Sequence, residues 1–156
     1  MNSLIVMCGI PGSGKSFYAE SYKNSHDNYY IVSTDSIREE LLGDASNQKD
    51  GWAIFMTAYD RITNHLKDGH NVIFDATNIY RKSRKKILKY FRKVFGDTIN
   101  LICVYMCTPL ELCLKRNMDR DRVVPEGVIR NMYMNISTPD KEEGWDNVLM
   151  NAIVIG

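Results

Sequence analysis

Leu4-Ile5-Val6-Met7-Cys8-Gly9-Ile10-Pro11-Gly12-Ser13-Gly14-Lys15-Ser16 is the stretch that decides the fold. Its first five residues form a continuous apolar run, as expected of a strand buried on both faces of a parallel sheet. Gly9 to Ser16 then match the spacing Gly-x-x-x-x-Gly-Lys-Ser/Thr, and a helical segment from about Lys15 to Lys23 follows. Glycine lets the backbone curl so that successive N–H groups point inward at phosphate oxygens. The helix behind adds its own free N–H groups and the positive end of its dipole. The nucleotide-binding set expected here is Gly9, Pro11, Gly12, Ser13, Gly14, Lys15 and Ser16. Lys15 can reach the β- and γ-phosphates, and the Ser16 hydroxyl can ligate Mg²⁺. The implied ligand is ATP or another nucleoside triphosphate, since no motif reads adenine.

Outward from this loop, strands and helices alternate. Strands are expected over residues 29–33, 71–75, 100–106 and, last and short, 152–155. Helices are expected over 34–42, 50–68, 80–95, 109–117 and 125–136. Thr34 or Asp35 is the expected cap of the first of these. In the second, Trp52, Phe55, Tyr59, Ile62 and Leu66 recur at steps of three and four and read as a core stripe. This alternation predicts an α/β fold of three layers, a P-loop kinase fold. It has a parallel sheet of four to five strands, helices on both faces and a helical lid near 116–125, all in one domain over 1–156.

The 156 residues are 44% hydrophobic and 25% charged, ordinary for a globular chain. A net charge of +1 signals no general grip on a polyanion, but residues 1–78 carry 6 Lys/Arg against 10 Asp/Glu and residues 79–156 carry 14 against 9. An anionic partner is therefore expected on the second half. Cys8, Cys103, Cys107 and Cys113 form no Cys-x-x-Cys pair and read as free thiols in a reducing compartment. The apolar run 4–8 is too short for a signal peptide and no stretch has membrane-spanning length, so the cytoplasm is the expected location and no membrane is an expected partner.

A phosphate loop does not name a reaction. A motor would carry Asp-Glu at a later strand end, where this chain has Phe74-Asp75-Ala76-Thr77, and a guanine switch would carry Asn-Lys-x-Asp, which is absent. Both absences favour phosphoryl transfer to an acceptor. Ser33-Thr34-Asp35-Ser36-Ile37-Arg38 follows the second strand, and ligands of open parallel sheets bind outside the carboxyl ends of strands. Asp35 is placed to accept a proton from an attacking hydroxyl, and Arg38, one helical turn on, suits an anionic group on the acceptor. The plainer reading makes Asp35 a helix cap and Arg38 a solvated cation. Asp75 and Asn78 sit at the next carboxyl strand end, where Asp75 can reach Mg²⁺ through water or hold neighbouring loops together. Arg116, Arg120 and Arg122 lie in a segment without apolar periodicity, as lid arginines that close on a triphosphate do. Interleaved Asp119 and Asp121 allow local ion pairs instead. Arg81, Lys82, Arg84, Lys85, Lys86, Lys89, Arg92 and Lys93 give one helix a basic face, either a solvated outer surface or a contact for a polynucleotide backbone.

The sequence Gly9–Ser16, the pair Asp35 and Arg38, Asp75-x-Thr-Asn78, and the run Lys115-Arg116-Asn117 through Val124-Pro125 to Val128-Ile129-Arg130-Asn131-Met132-Tyr133 occur in one order. In that order the chain resembles the polynucleotide 5′-kinase family, including the kinase half of its phage kinase–phosphatase members. A wider group of small P-loop kinases related to zeta toxins shares the layout. The resemblance implies an ATP- and Mg²⁺-dependent kinase acting on nucleic acid 5′ ends in repair. It makes Lys15 and Ser16 holders of phosphates and metal, Asp35 the general base, Arg38 a contact for the acceptor's 3′-side phosphate, and Arg120 the contact to the transferring phosphates. The stretch 120–125 is one residue shorter than in the phage enzyme, so Arg122 can take the Arg120 role. Two rivals stand beside this reading: a kinase of a nucleoside, sugar or nucleotide sugar, and a nucleotide-binding module without transfer.

Overall fold

The computed structural model describes residues 1–43 and 51–151. In chain order the elements are β1 (Asn2–Cys8), α1 (Lys15–Ser25), β2 (Tyr29–Ser33), α2 (Thr34–Leu42), α3 (Gly51–Lys67), β3 (Asn71–Asp75), α4 (Arg81–Phe95), β4 (Ile99–Met106), α5 (Leu110–Met118), α6 (Glu126–Asn135) and β5 (Asn147–Asn151). The five strands pair parallel in the order β2-β3-β1-β4-β5. β1 is central, which is why its apolar run is unbroken.

Side chains of β1 alternate between two cores. Leu4, Val6 and Cys8 face Ile54, Ala58 and Ile62 of α3 and Ile87 and Phe91 of α4. Ile5 and Met7 face Ala19 of α1. A third cluster joins Ile10 of the loop to Cys113 and Leu114 of α5 and Ile129 of α6, above the carboxyl ends of the strands. The expected three-layer P-loop α/β fold is therefore the observed one, with five strands.

Several details differ from expectation. Ser33, not Thr34 or Asp35, caps α2 by accepting from the Ser36 amide at 3.3 Å, which leaves the Asp35 carboxylate for other partners. The buried stripe of α3 is Ile54, Ala58, Ile62 and Leu66, and Trp52 is 79% exposed. Steps of four from Ile54 set the face against the sheet, and Trp52 lies off it. The fifth strand falls at Asn147–Asn151, beside β4. The expected strand over 152–155, like the expected helix start at residue 50, lies outside the described residues.

Candidate active site

The loop closes tightly between β1 and α1. Gly12 and Gly14 take φ of 81° and 96°, the left-handed region that glycine enters without a steric cost. Gly12 also touches α5: a Cβ built there would lie 2.4 Å from the Cys113 carbonyl oxygen. α1 starts at Lys15 with no side-chain cap and no acid in its first turn, so its leading N–H groups are left for an anion. Two expected phosphate contacts are otherwise engaged. The Gly9 amide donates to the Thr77 carbonyl at 2.9 Å, and the Ser13 amide donates to the Ile10 carbonyl at 3.1 Å. Ser13 is buried and its carbonyl accepts from the Thr108 hydroxyl at 2.7 Å. The Gly9 and Ser13 amides thus hold the loop's curvature, while the buried Ser13 hydroxyl has no hydrogen-bond partner among the described residues.

Lys15 Nζ donates to the Ile10 carbonyl at 3.2 Å. Burial lowers its pKa, the carboxylates of Asp75 and Asp35 oppose that shift, and the Arg120 guanidinium adds to it. The Ser16 hydroxyl donates to Asp75 Oδ2 at 2.7 Å. Asp75 ends β3 in register with Ser33 of β2, so two neighbouring strands deliver Asp75 and Asp35 to one rim. Asp35 Oδ1 accepts from Arg38 Nη1 at 3.4 Å and Oδ2 accepts from Arg122 Nη2 at 2.5 Å. Arg38 is 12% exposed, and its buried Nε has no hydrogen-bond partner among the described residues.

These groups share one cavity of about 680 Å³. That is within the range of roughly 300–1,000 Å³ common for small-ligand sites. Lys15, Ser16, Asp35, Arg38, Asp75, Arg116, Arg120 and Arg122 all line it, together with Pro11, Gly12 and Gly14. The rest of the wall includes Phe17, Phe55, Val123, Val128 and Met132, to which the sequence assigned no ligand contact. Apolar residues at helix spacing carry no signal that separates a cavity wall from a core. Burial lowers the Arg120 pKa, as does neighbouring Arg122, against the pull of Asp35 and Asp75.

Asn78 is not part of this wall. Its side chain is buried, and Nδ2 donates to the Met7 carbonyl at 2.9 Å. It fastens the turn after β3 to the end of β1, which removes it from the expected acceptor contacts. Arg84, counted in the basic face, is likewise internal. It is fully buried and forms two bonds of 2.8 Å to Glu143, with Nη1 donating to the Asn78 carbonyl at 3.0 Å. Trp145 Nε1 donates to the same carboxylate at 3.0 Å. Burial opposes ionisation of Glu143, but the bonds from Arg84 and Trp145 outweigh it and hold the carboxyl below its ordinary range. Burial pushes the neighbouring Cys8 thiol up to about 11. Cys8, Cys103 and Cys113 are buried free thiols and Cys107 is an exposed one.

The rim has the oxygen donors a small hard cation takes. Ser16 Oγ and Asp75 Oδ2 already lie together beside Lys15, a donor set suited to Mg²⁺ and not to a soft metal. No helix among the described residues is long and apolar enough to cross a membrane.

The profile of the AAA domain family matches residues 4–139. L-seryl-tRNA(Sec) kinase of Methanococcus maripaludis is 32% identical over 150 residues, covering 92% of this chain and 56% of that protein. The chain thus spans little more than half the length of the curated relatives it matches. A chain of the Pnkp1/Rnl/Hen1 RNA repair complex shares the fold with a TM-score of 0.76 at 23% identity, over 86% of this chain and 43% of that one. A gluconokinase from Sinorhizobium meliloti 1021 does so with 0.63 at 18%, over 96% and 81%. The family match runs from β1 through α6, well over half of the chain: the chain belongs to the AAA domain family.

Proposed function

We propose that this domain is an ATP-dependent kinase that transfers the γ-phosphoryl group to the 5′-hydroxyl of a polynucleotide. One observation carries the reading: Asp35, bonded to Arg38 and Arg122, shares a cavity with the phosphate loop. A carboxylate lining the same cavity as a triphosphate site suits proton acceptance from an acceptor hydroxyl. That the acceptor is a nucleic acid is supported by the 32% relative, named for a tRNA substrate, and by the fold neighbour from an RNA repair complex.

In the transfer, the acceptor oxygen forms a bond to the γ-phosphorus as the bond from phosphorus to the β–γ bridging oxygen breaks. ADP leaves with that electron pair, and the hydroxyl proton passes to Asp35. Lys15 and the leading amides of α1 hold the phosphates in line, while Arg116, Arg120 and Arg122 stand where charge accumulates on the transferring group. Arg38 keeps a buried Nε donor for an acceptor phosphate. Ser16 and Asp75 would hold Mg²⁺, which would supply charge neutralisation for the triphosphate.

The 32% relative favours a second reading, in which the hydroxyl belongs to an aminoacyl group on tRNA. The gluconokinase fold keeps a sugar acceptor as a third. Incubation with γ-labelled ATP and Mg²⁺ separates them, with 5′-hydroxyl DNA and RNA oligonucleotides, seryl-tRNA, nucleosides and sugars in parallel. Label on the oligonucleotides, lost in Asp35→Asn, is the expected result. Label on seryl-tRNA or a sugar alone overturns the acceptor assignment, and label nowhere points to a binding module.

A further inference from the structure

The eight cations of α4 divide by what they meet. Arg84 is buried on Glu143, Arg81 pairs with Asp140 at 3.0 Å, and Arg92 pairs with Asp146 at 2.6 Å. Lys82, Lys85, Lys86, Lys89 and Lys93 are exposed and meet no carboxylate among the described residues. Steps of three and four put them on one side of the helix. Four of the five line a shallow surface groove with Arg81.

This arrangement works against the helix that bears it. Lys82 and Lys86, Lys85 and Lys89, and Lys89 and Lys93 are like charges one turn apart, and each pair repels. The first turn of α4 holds Arg81 and Lys82 and no acid, so cations crowd the positive end of the helix dipole. Local rules broken together in one direction mark a surface shaped by something outside the chain. The net charge of only +1 shows that this is not a uniformly basic protein.

Position indicates the partner. β3 ends at Asp75 on the cavity rim, and α4 begins at Arg81, so the first turn of α4 lies at the crevice end of the sheet. From there the lysines run down the outer surface. Lys82 to Lys93 span about 16 Å at about 1.5 Å per residue. That is about the length of five phosphates of one strand at roughly 3.4 Å each. Ile87, Leu88 and Phe91 are committed to the core, which leaves none of them to enter a bilayer.

We propose that the lysine ridge of α4 is a sequence-independent track for the phosphodiester backbone of a polynucleotide whose end enters the crevice. The proposal rests on the nucleic-acid reading above and extends it to the body of the acceptor. The experiment is anisotropy titration of the full chain with fluorescent single-stranded DNA and RNA over a salt series, comparing the parent with K85Q/K86Q/K89Q. The parent should bind with affinity that falls steeply with salt, and the triple variant should lose about 2 from the log–log slope, at about 0.7 per lysine for single strands. Labelling of a 5′-hydroxyl dinucleotide, which has a single phosphodiester to offer, should be unchanged, and the melting temperature should not fall because repulsion is relieved. An unchanged slope overturns the track. So does binding to phosphatidylserine vesicles in place of oligonucleotides. Lysine-dependent binding without any transfer to oligonucleotides would keep the track and sink the 5′-hydroxyl acceptor, so the two failures are distinguishable.

Discussion

Arg122 Nη2 donates to Asp35 Oδ2 at 2.5 Å, joining the segment between α5 and α6 to the first turn of α2 across 87 residues of chain. The other carboxylate oxygen takes Arg38 at 3.4 Å. Asp35 therefore sits between one cation of its own helix and one of the segment between α5 and α6. Arg120 stands within electrostatic reach of Lys15, Asp75 and Asp35. The two arginines of the segment between α5 and α6 have different partners, so their variants should fail differently.

Asp35→Asn should keep ATP affinity and lower turnover by about 10²–10⁴-fold, the range for losing a general base. Arg120→Ala should lower kcat by about 10²–10³-fold, as expected of a group that stabilises charge on the transferring phosphoryl. Arg122→Ala should raise the acceptor KM as well, since it also positions Asp35. Single-turnover labelling beside nucleotide-binding titration separates these effects. Equal kinetics for parent and Asp35→Asn would remove Asp35 as the base.

Gly12→Ala should lower stability by about 2–4 kcal/mol, combining a left-handed backbone with an overpacked contact. The new methyl would meet the Cys113 carbonyl oxygen at 2.4 Å, so loop and α5 must separate. Thermal melting with and without nucleotide reads both losses. A variant that melts like the parent would show that α5 yields freely.

Stability should fall in acid through Glu143. Its carboxyl has a folded pKa below the ordinary 4.5, because the Arg84 and Trp145 bonds outweigh burial. A depressed carboxylate contributes stability that is present above about pH 4.5 and lost as pH falls through the folded value. Glu143→Gln should be less stable at neutral pH by about 3–5 kcal/mol, because Arg84 is left buried without its counter-charge. It should also show a shallower acid limb. Urea melts at pH values from 7 down to about 3 test both.

Transfer should stop in EDTA and return with Mg²⁺. Ser16→Ala should need more Mg²⁺ for half-maximal rate, because one ligand oxygen and the hydrogen bond to Asp75 are lost together. A Mg²⁺ titration of the labelling rate gives the shift; coincident curves for parent and variant would remove Ser16 from the metal site.

Most of the fold was legible in the chain. The apolar run of β1, the glycine spacing before Lys15 and the Gly12 and Gly14 turns are local, and each acts through residues only a few positions away. Asp35, Arg38 and Asp75 were legible for a related reason: carboxyl ends of parallel strands share one edge, and the cavity collects all three. Asn78 and Arg84 were misplaced because nothing nearby in the chain announces that Met7 and Glu143 will meet them.

What the sequence by itself determined is the parallel α/β sheet, the phosphate loop and the strand ends that carry carboxylates. Backbone dihedral preference and apolar periodicity act at short range and need no distant partner. Only the tertiary structure decided which arginine between α5 and α6 meets Asp35, which cation of α4 is internal and which of its lysines meet no carboxylate among the described residues, and that Gly12 abuts Cys113. Those outcomes depend on distances between residues tens of positions apart, set by how α4, α5 and the 137–145 segment pack on the sheet.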